Sequence, residues 1–240
     1  MPMPDLSRRE DLAELMDRTA ALQPGELESA LGTLATLNRW FGGYSLFFGE
    51  LSRWLAGWPK DKPVTVLDVG TGGADLPMAL CRWGRRRGLT FAVTGLDQDA
   101  EVARLARQSA RGELGVTVIE DSLLRFSRSG RRFDFVTASL MLHHVPDGDL
   151  VGALRALDAL AERGVIVGDL RRGRSAYLGV VAATTILGDR VARHDGPVSV
   201  RRAFTAKELQ ELARQAGLDY LRVRRRGPFR LSLSGVKTNG

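Results

Sequence analysis

Three aspartates occupy the ends of successive predicted strands, where acidic side chains could meet one ligand. Asp68 lies near the end of VTVLDV, Asp97 closes FAVTGLD and Asp121 closes VTVIED. Asp97 could accept hydrogen bonds from both hydroxyls of a ribose. Asp121, with Ser122 and Leu123 beside it, could accept one from an adenine amino group. Each acid taken singly is as readily a helix cap or a loop charge, but the three together favour a nucleotide-like ligand.

A glycine-rich turn follows the first of these strands. In VLDVGTGGADLP the strand ends at Gly70 and a helix begins near Ala74. Glycine tolerates the backbone angles of so sharp a turn. The turn leaves free backbone N–H groups at the start of a helix, where they stabilise a negatively charged or polar ligand group. The stretch is therefore typical of a nucleotide cradle.

Two common nucleotide cradles fit this turn poorly. A P-loop needs a Gly-Lys pair, and the sequence contains none. A dinucleotide loop needs a third glycine where this chain has Asp75, whose carboxylate would repel a pyrophosphate. S-adenosylmethionine carries a sulfonium and an ammonium group and no phosphate, which removes that objection. The residues predicted to bind it are Asp68, Gly70, Thr71, Gly72, Asp75, Asp97, Gln98, Asp121, Ser122, Leu123 and Ser139.

The elements that must position these residues change in character at Pro63. Before it, residues 5–58 have apolar side chains at three- and four-residue spacings, which predicts helices separated at Pro24 and Gly25 and again at Gly42 and Gly43. After it, short apolar strands alternate with helices, which implies a parallel sheet with right-handed crossovers. The last two strands, YLRVRRR and FRLSLS, predict an antiparallel hairpin at the edge of the sheet.

Composition narrows the class of protein. Of 240 residues, 44% are apolar and 26% charged, as in an ordinary globular protein. The net charge of +7 raises the question of nucleic acid, but the basic residues are mostly arginines in scattered pairs and triplets, so we rank a small-molecule ligand ahead of nucleic acid. The N-terminus shows no secretory signal, and the longest uncharged run, residues 175–188, is too short to span a bilayer. We therefore expect a cytoplasmic protein.

Several stretches resemble the motifs of class I S-adenosylmethionine-dependent methyltransferases: LDVGTGGAD, GLDQD, IEDSL and FDFVTASLMLHHVPD. Others, among them LNRWFGG, GDLRRGR and RHDGPVSVRRAFTAKEL, are similar to bacterial small-molecule methyltransferases related to the ubiquinone and menaquinone methyltransferases. The resemblance covers residue 64 to about 240, with Ala74 in place of a common third glycine. It implies an α/β, Rossmann-like fold whose seven-stranded, mostly parallel sheet holds the cofactor at the C-terminal ends of the strands.

The resemblance and the helical pattern before Pro63 lead us to expect two domains and a methyl-transfer reaction. We predict a helical cap or lid at residues 1–59 and a methyltransferase domain at residues 60–240, with a substrate-side insertion at about 175–200. The expected reaction is methyl transfer to a phenolic or enolic oxygen of a hydrophobic, quinone-like or polyketide-like small molecule. Carbon methylation of an activated ring, RNA methylation and cofactor binding without catalysis are the alternatives. Either a monomer or a homodimer fits the sequence.

The chain has three histidines that could take a proton from such an acceptor. A phenol has a pKa of about 10 and a histidine one of about 6.5, so an imidazole can act as general base during attack. His143 and His144 follow the fourth strand, which in this fold faces the methyl donor, although a histidine there can also serve only to pack the loop. His194 lies beside Asp195 in a predicted loop, where capping is an equal alternative to catalysis.

The aromatic residues and one arginine indicate where the acceptor would bind. Seven of the aromatic residues fall within residues 40–58, and we predict that Trp40, Tyr44 and Phe48 contact the acceptor, although a packed cap helix would show the same pattern. Arg171 could hold an acidic or enolate oxygen. We predict no metal site, because the single cysteine has no partner and His143 stands where some quinone methyltransferases have an acid.

Overall fold

The computed structural model describes residues 3–237 and contains a seven-stranded sheet. The strand order is β3-β2-β1-β4-β5-β7-β6, in which β7 pairs antiparallel with both β5 and β6 while the other neighbours are parallel. This topology confirms the predicted mostly parallel sheet with an antiparallel C-terminal hairpin. The strands are β1 (Val64–Val69), β2 (Phe91–Asp97), β3 (Val116–Glu120), β4 (Phe133–Ser139), β5 (Ala161–Leu170), β6 (Arg222–Arg226) and β7 (Arg230–Val236).

Nine α-helices within the described residues surround the sheet, and their bounds follow. They are α1 (Glu26–Trp40), α2 (Ser45–Trp54), α3 (Asp75–Arg85), α4 (Ala100–Ser109), α5 (Leu123–Phe126), α6 (Leu150–Leu160), α7 (Arg174–Leu187), α8 (Arg190–Arg202) and α9 (Ala206–Gln215). Short 3-10 helices occur at Leu15–Ala21, Leu142–His144 and Asp147–Asp149. Across residues 3–237, no helix combines the length and the apolar character that crossing a bilayer requires.

The core has two layers because successive side chains of a strand point to opposite faces of the sheet. In β1, Val64 and Val66 face the cluster built with α2 and α3, whereas Leu67 and Val69 face the cluster built with α6 and α9. Both faces of the central strands are therefore buried, as parallel sheets require.

The N-terminal segment differs from its prediction. The apolar spacing from residue 5 predicts a helix, but residues 3–14 contain no helix and the first helical segment described is the 3-10 turn at Leu15–Ala21. The physical reason is that this segment finds hydrogen-bond partners elsewhere in the protein: the backbone N–H of Glu10 donates to the carbonyl oxygen of Arg201 at 3.2 Å. At the start of the 3-10 turn, the Asp195 carboxylate accepts from the N–H groups of Leu15 (2.7 Å) and Met16 (3.0 Å). Arg9 likewise donates from Nη2 to the carbonyl oxygen of His143 at 2.8 Å. Tertiary contacts thus replace the intrahelical bonds.

The region predicted as an insertion forms two packed helices. Helices α7 and α8 lie between β5 and α9, and Gly196 on α8 lets them approach closely, since a Cβ there would lie 2.7 Å from Thr184 Cγ2. His194, predicted in a loop, therefore belongs to a helix. The outer ends of the two predicted domain ranges, residues 1–2 and 238–240, lie outside the described residues.

Candidate active site

A cavity of about 940 Å³ opens at the C-terminal ends of the central strands. Parallel α/β sheets bind ligands at this edge, at the point where the strand order reverses. In this sheet that point is β1, which lies between β2 and β4. All the residues that the sequence predicts to bind the cofactor line this one cavity. The structure thus brings together residues that are as far apart in the chain as Asp68 and Ser139.

The glycine turn forms the floor of the cavity. Gly70 and Gly72 have positive φ angles of 66° and 53°, a region that favours glycine. A Cβ on Gly70 would lie 2.4 Å from Cγ of Met141, so the close approach of the loop after β4 also requires glycine there. Ala74 takes a left-handed conformation as well, with φ of 59°, at the position where the family resemblance leads us to expect a glycine.

Asp68 is buried beneath this turn. Its Oδ1 accepts a hydrogen bond from Thr137 Oγ1 at 2.7 Å and its Oδ2 accepts one from Thr71 Oγ1 at 3.0 Å. Burial raises the pKa of Asp68 to about 7, against the two threonine hydrogen bonds, which lower it. The charges of Asp75 and Asp97 raise the pKa further. A group of acids that repel one another in this way gains stability from a positively charged ligand.

Asp97 lies at the end of β2 and retains acceptor capacity. Its Oδ2 accepts from the backbone N–H of Gly72 at 3.1 Å and its Oδ1 from the N–H of Asp99 at 3.2 Å. Burial raises its pKa. A carboxylate offers about four lone-pair sites, so this pair of bonds leaves room for two hydroxyl donors. Asp121, by contrast, uses Oδ1 for the N–H of Ser122 and for an ion pair with Arg125.

Asp75 begins α3 and is held by the N-terminal helices. Its Oδ2 accepts from Tyr44 Oη at 2.7 Å and from Asn38 Nδ2 at 3.1 Å. Burial and the nearby charge of Asp75 raise the pKa of Tyr44 well above its ordinary value. The Tyr44 hydroxyl, predicted to contact the acceptor, therefore supports the cofactor loop instead.

The residues predicted to contact the acceptor lie outside the cavity lining. Trp40 is 69% exposed, Phe48 stacks on Trp83 with ring centroids 5.3 Å apart, and Arg171 donates to Ser175 Oγ at 2.9 Å. The aromatic face of α2 packs against the sheet and α3, and for this reason it does not reach the cavity. Other side chains from the same region and from α7 line it instead: Leu31, Leu34, Leu37, Phe41, Val180 and Ala183.

His143 and His144 reach the cavity, and each ring is held by a carboxylate. His143 is buried, with Nδ1 2.6 Å from Asp169 Oδ1. Burial alone would raise the pKa of Asp169, but the charge of His143 and its hydrogen bond hold that pKa below its ordinary value. His144 is one-third exposed, with Nδ1 2.7 Å from Asp17 Oδ1. A carboxylate on Nδ1 assigns the proton to that nitrogen and leaves Nε2 as the acceptor.

Glu14 joins both histidines, and the sequence does not predict it. The side chain is 4% exposed, with Oε1 3.6 Å from His143 Nε2 and Oε2 3.8 Å from His144 Nε2. Within residues 3–237, Oε1 has no hydrogen-bond partner, although Arg202 Nη1 lies 3.7 Å away. Burial raises the pKa of Glu14 to about 7. No spacing in the sequence marks this glutamate, because only the path of the N-terminal segment brings it to the histidines.

The arrangement of Glu14 and the two histidines differs from the expectation of no metal site. One ligand atom from each residue lies within 4.8 Å of the other two, and such donors could hold a metal ion. The carboxylates behind both Nδ1 atoms resemble the outer shell of metal-bound histidines. The same atoms can also pass a proton, since a carboxyl with a pKa raised to about 7 both holds and releases a proton near neutral pH.

His194 lies outside this cluster. Its side chain on α8 is 49% exposed, it does not line the cavity, and its Nδ1 lies 2.7 Å from Asp195 Oδ1. Asp195 does line the cavity, but its carboxylate also accepts from two backbone N–H groups of the N-terminal segment. The structure thus separates His194 from the other two histidines and gives Asp195 a structural task.

Comparisons with known proteins agree with this geometry. A family model described as a methyltransferase domain matches residues 66–164. The ubiquinone biosynthesis O-methyltransferase of Ralstonia nicotianae (strain ATCC BAA-1114 / GMI1000) is 31% identical over 216 residues, which cover 85% of each chain. That of Serratia proteamaculans (strain 568) is 39% identical over 129 residues, 51% of this chain and 50% of the relative. The chain thus spans about half the length of the Serratia protein, and 61% of the Cupriavidus pinatubonensis relative.

Solved structures share the fold at low sequence identity. The plantazolicin methyltransferase BpumL in complex with S-adenosylhomocysteine has a TM-score of 0.63 at 12% identity, covering 89% of this chain and 96% of that one. The magnesium protoporphyrin IX methyltransferase ChlM from Synechocystis PCC 6803 has a TM-score of 0.55 at 16% identity, covering 82% and 84%. These structures show the fold. The Ralstonia relative, together with the family model, shows that the chain belongs to the class I S-adenosylmethionine-dependent methyltransferases, in the branch related to the ubiquinone O-methyltransferases.

Proposed function

We propose that this protein transfers a methyl group from S-adenosylmethionine to a phenolic or enolic oxygen of a hydrophobic, quinone-like or polyketide-like small molecule. The single observation that carries the proposal is that the acids of the cofactor motifs and the Glu14, His143 and His144 cluster line one cavity. The acids are suited to binding the methyl donor, and the cluster of Glu14 and the two histidines is suited to accepting a proton from the methyl acceptor. A cytoplasmic location and a homodimer stay predictions of the sequence.

The residues present fit the cofactor on electrostatic grounds. Asp68, Asp75 and Asp97 gather acidic side chains around the glycine turn, and the charges of Asp75 and Asp97 add to burial in raising the pKa of Asp68. A sulfonium and an ammonium group would compensate them, whereas a phosphate would be repelled. We assign the ribose hydroxyls to Asp97 and the adenine to Asp121, Ser122 and Leu123. When bound, S-adenosylmethionine supplies a methyl group already activated by the positive sulfur.

The histidine cluster supports removal of the acceptor's proton. Asp17 holds Nδ1 of His144, which leaves Nε2 to accept a proton. The imidazolium that results lies between two carboxylates, with Glu14 Oε2 3.8 Å from Nε2. Because both carboxylates stabilise the positive charge, His144 can hold the proton while the acceptor oxygen attacks. His143, buried and fixed by Asp169, positions the loop and Glu14 rather than reaching the acceptor itself.

The remainder of the cavity supports an apolar acceptor. Leucines of α1 and small apolar residues of α7 line its outer part, and apolar walls both bind an aromatic ring and exclude water. Alignment of the acceptor is the main demand of a displacement on an activated methyl group. An RNA acceptor gains less support, because phosphate contacts call for basic residues and this lining is largely apolar and acidic.

The proposal is tested by binding and turnover measured separately. We expect S-adenosylhomocysteine to bind in calorimetry, and a panel of catechols and hydroxyquinones to accept a labelled methyl group from S-adenosylmethionine, with the product oxygen identified by mass spectrometry. Absence of cofactor binding would refute the proposal. Cofactor binding with no transfer to any phenol or enol would favour a non-catalytic relative, and transfer to carbon would replace the oxygen assignment.

A further inference from the structure

Arg230 is a buried arginine at the edge of the cavity, and among residues 3–237 it forms no ion pair. The residue is 8% exposed, lines the cavity and begins β7, where it pairs with Leu170 of β5 and Arg226 of β6. Its position at the end of a strand carries the guanidinium to the same sheet edge as the cofactor acids. Long cationic side chains are seldom buried this deeply unless they are paired.

The two terminal nitrogens of Arg230 have different surroundings. Nη2 donates to Asn38 Oδ1 at 2.7 Å, and Nδ2 of the same amide donates to Asp75 Oδ2 at 3.1 Å. Nη1 is buried, and within residues 3–237 it has no hydrogen-bond partner. The asparagine therefore fixes the plane of the guanidinium while one nitrogen stays available. Such a fixed fork recognises a planar anion.

Carboxylates surround Arg230 at a distance without pairing with it. Burial lowers the pKa of Arg230, and the charges of Asp169 and Asp75 oppose that effect. Asp169 is engaged by His143, and Asp75 by Asn38 and Tyr44. Among the residues that the structure describes, no carboxylate oxygen lies within ion-pairing distance of Arg230. A buried cation without a partner carries a large desolvation cost, which a bound anion would offset.

We propose that Nη1 of Arg230 receives a carboxylate inside the cavity. The inference rests on the proposed function, in which two molecules could supply this carboxylate. One is the cofactor, through its methionine moiety, and the other is an acceptor that carries an acidic group. In either case Asn38, which also lines the cavity, orients the guanidinium through its hydrogen bond to Nη2. No side chain that the sequence predicts to contact the acceptor supplies this positive charge inside the cavity.

The first arm of the test asks about the cofactor. Calorimetry compares S-adenosylhomocysteine with methylthioadenosine, which lacks the amino acid carboxylate, on the wild type, on Arg230→Met and on Arg39→Met. Arg39 is the matched control because it neighbours Asn38 but is exposed and outside the cavity lining. If the bound carboxylate belongs to the cofactor, R230M should bind S-adenosylhomocysteine about 10- to 150-fold more weakly than the wild type. The affinity of R230M for methylthioadenosine should be unchanged, and R39M should bind both compounds as the wild type does.

The second arm asks about the acceptor. With S-adenosylhomocysteine present, 4-hydroxybenzoate and its neutral amide are titrated into the same proteins. If the bound carboxylate belongs to the acceptor, the wild type and R39M should bind 4-hydroxybenzoate more tightly than its amide, and R230M should bind the two compounds equally. Folding is checked by circular dichroism, and if R230M is unfolded, R230K replaces it: lysine keeps the charge without the fork, so a smaller loss of the same selectivity is expected.

The outcomes separate this inference from the proposed function. A folded variant at Arg230 that matches the wild type in both arms would overturn the carboxylate site and leave the methyltransferase proposal standing. A wild type that binds no S-adenosylhomocysteine would refute both. A loss for methylthioadenosine equal to that for S-adenosylhomocysteine would also overturn the site, since it would indicate general damage to the cavity.

Discussion

The buried carboxyl of Glu14 makes a quantitative prediction about stability. Its pKa is about 7, against an ordinary value of 4.5, and burial is the main cause. This pKa already includes the attraction of His144 and Arg202, which lowers it. Replacement by glutamine keeps the size and polarity of the side chain but removes its ionisation. Glu14→Gln therefore isolates what the titration of this group contributes.

The sign and size of the effect follow from the two pKa values. Below about pH 4.5 the carboxyl is protonated in both the folded and the unfolded protein, so its titration costs nothing. As the pH rises towards 7, the unfolded chain releases the proton before the folded protein does, and the free energy of unfolding decreases. At 1.36 kcal/mol for each pH unit, the interval from 4.5 to about 7 amounts to about 3 kcal/mol. Above pH 7 the loss is complete.

Urea unfolding between pH 4.5 and 8 measures this difference. We expect the free energy of unfolding of E14Q, relative to the wild type, to increase by about 3 kcal/mol across that range. Asp68 also has a raised pKa, but it is present in both proteins and its contribution cancels. Glu10→Gln serves as the control, because Glu10 lies in the same segment and is ion-paired with Arg201 near the surface.

One result would refute the reasoning about Glu14. If the curves of unfolding free energy against pH run parallel for E14Q and the wild type, then the carboxyl is not held in a buried environment. The N-terminal segment would then not occupy the position beside the histidines. If E10Q changes the pH dependence as strongly as E14Q, the effect belongs to the net charge of the segment and not to burial.

Four further substitutions test the site. Asp97→Ala should weaken S-adenosylhomocysteine binding by about 1.5–3 kcal/mol in calorimetry, and unchanged affinity in a folded variant would contradict the ribose assignment. His144→Ala should lower turnover by roughly 10²- to 10⁴-fold at unchanged cofactor affinity, whereas His194→Ala, outside the cavity, should match the wild type; the reverse pattern would reassign the base. Gly70→Ala should lower the melting temperature, because its Cβ would lie 2.4 Å from Met141 Cγ; an unchanged melting curve would contradict that contact.

The cofactor half of the site could be predicted because its signals are local. A glycine that needs a positive φ, such as Gly70, and an acid that closes an apolar strand, such as Asp97, are defined by their neighbours in the chain. Once the strands are parallel, their C-terminal ends meet at one edge, so local patterns also predict which side chains converge. The strand bounds found in the structure follow the predicted apolar runs closely.

The acceptor half could not be predicted in the same way. The aromatic stripe of α2 correctly indicates an apolar face, but periodicity does not say which surface that face covers; Phe48 packs on Trp83 instead of on a ligand. The segment around Glu14 has helical spacing, yet its backbone bonds to Asp195 and its side chains to the loop after β4. His194, predicted in a loop, lies on α8 and outside the cavity lining, so its role as a base stays a prediction.

The sequence by itself determined the succession of strands along the chain, the glycine turn, the acids at the strand ends and the family. These depend on backbone preferences and on alternation of apolar residues, which act over a few positions. Only the tertiary structure decided that Glu14 joins His143 and His144, and that the Arg230 guanidinium lies buried beside Asn38. Those contacts join residues about 130 and 190 positions apart, and a buried charge is defined by everything packed around it, which no short stretch of sequence contains.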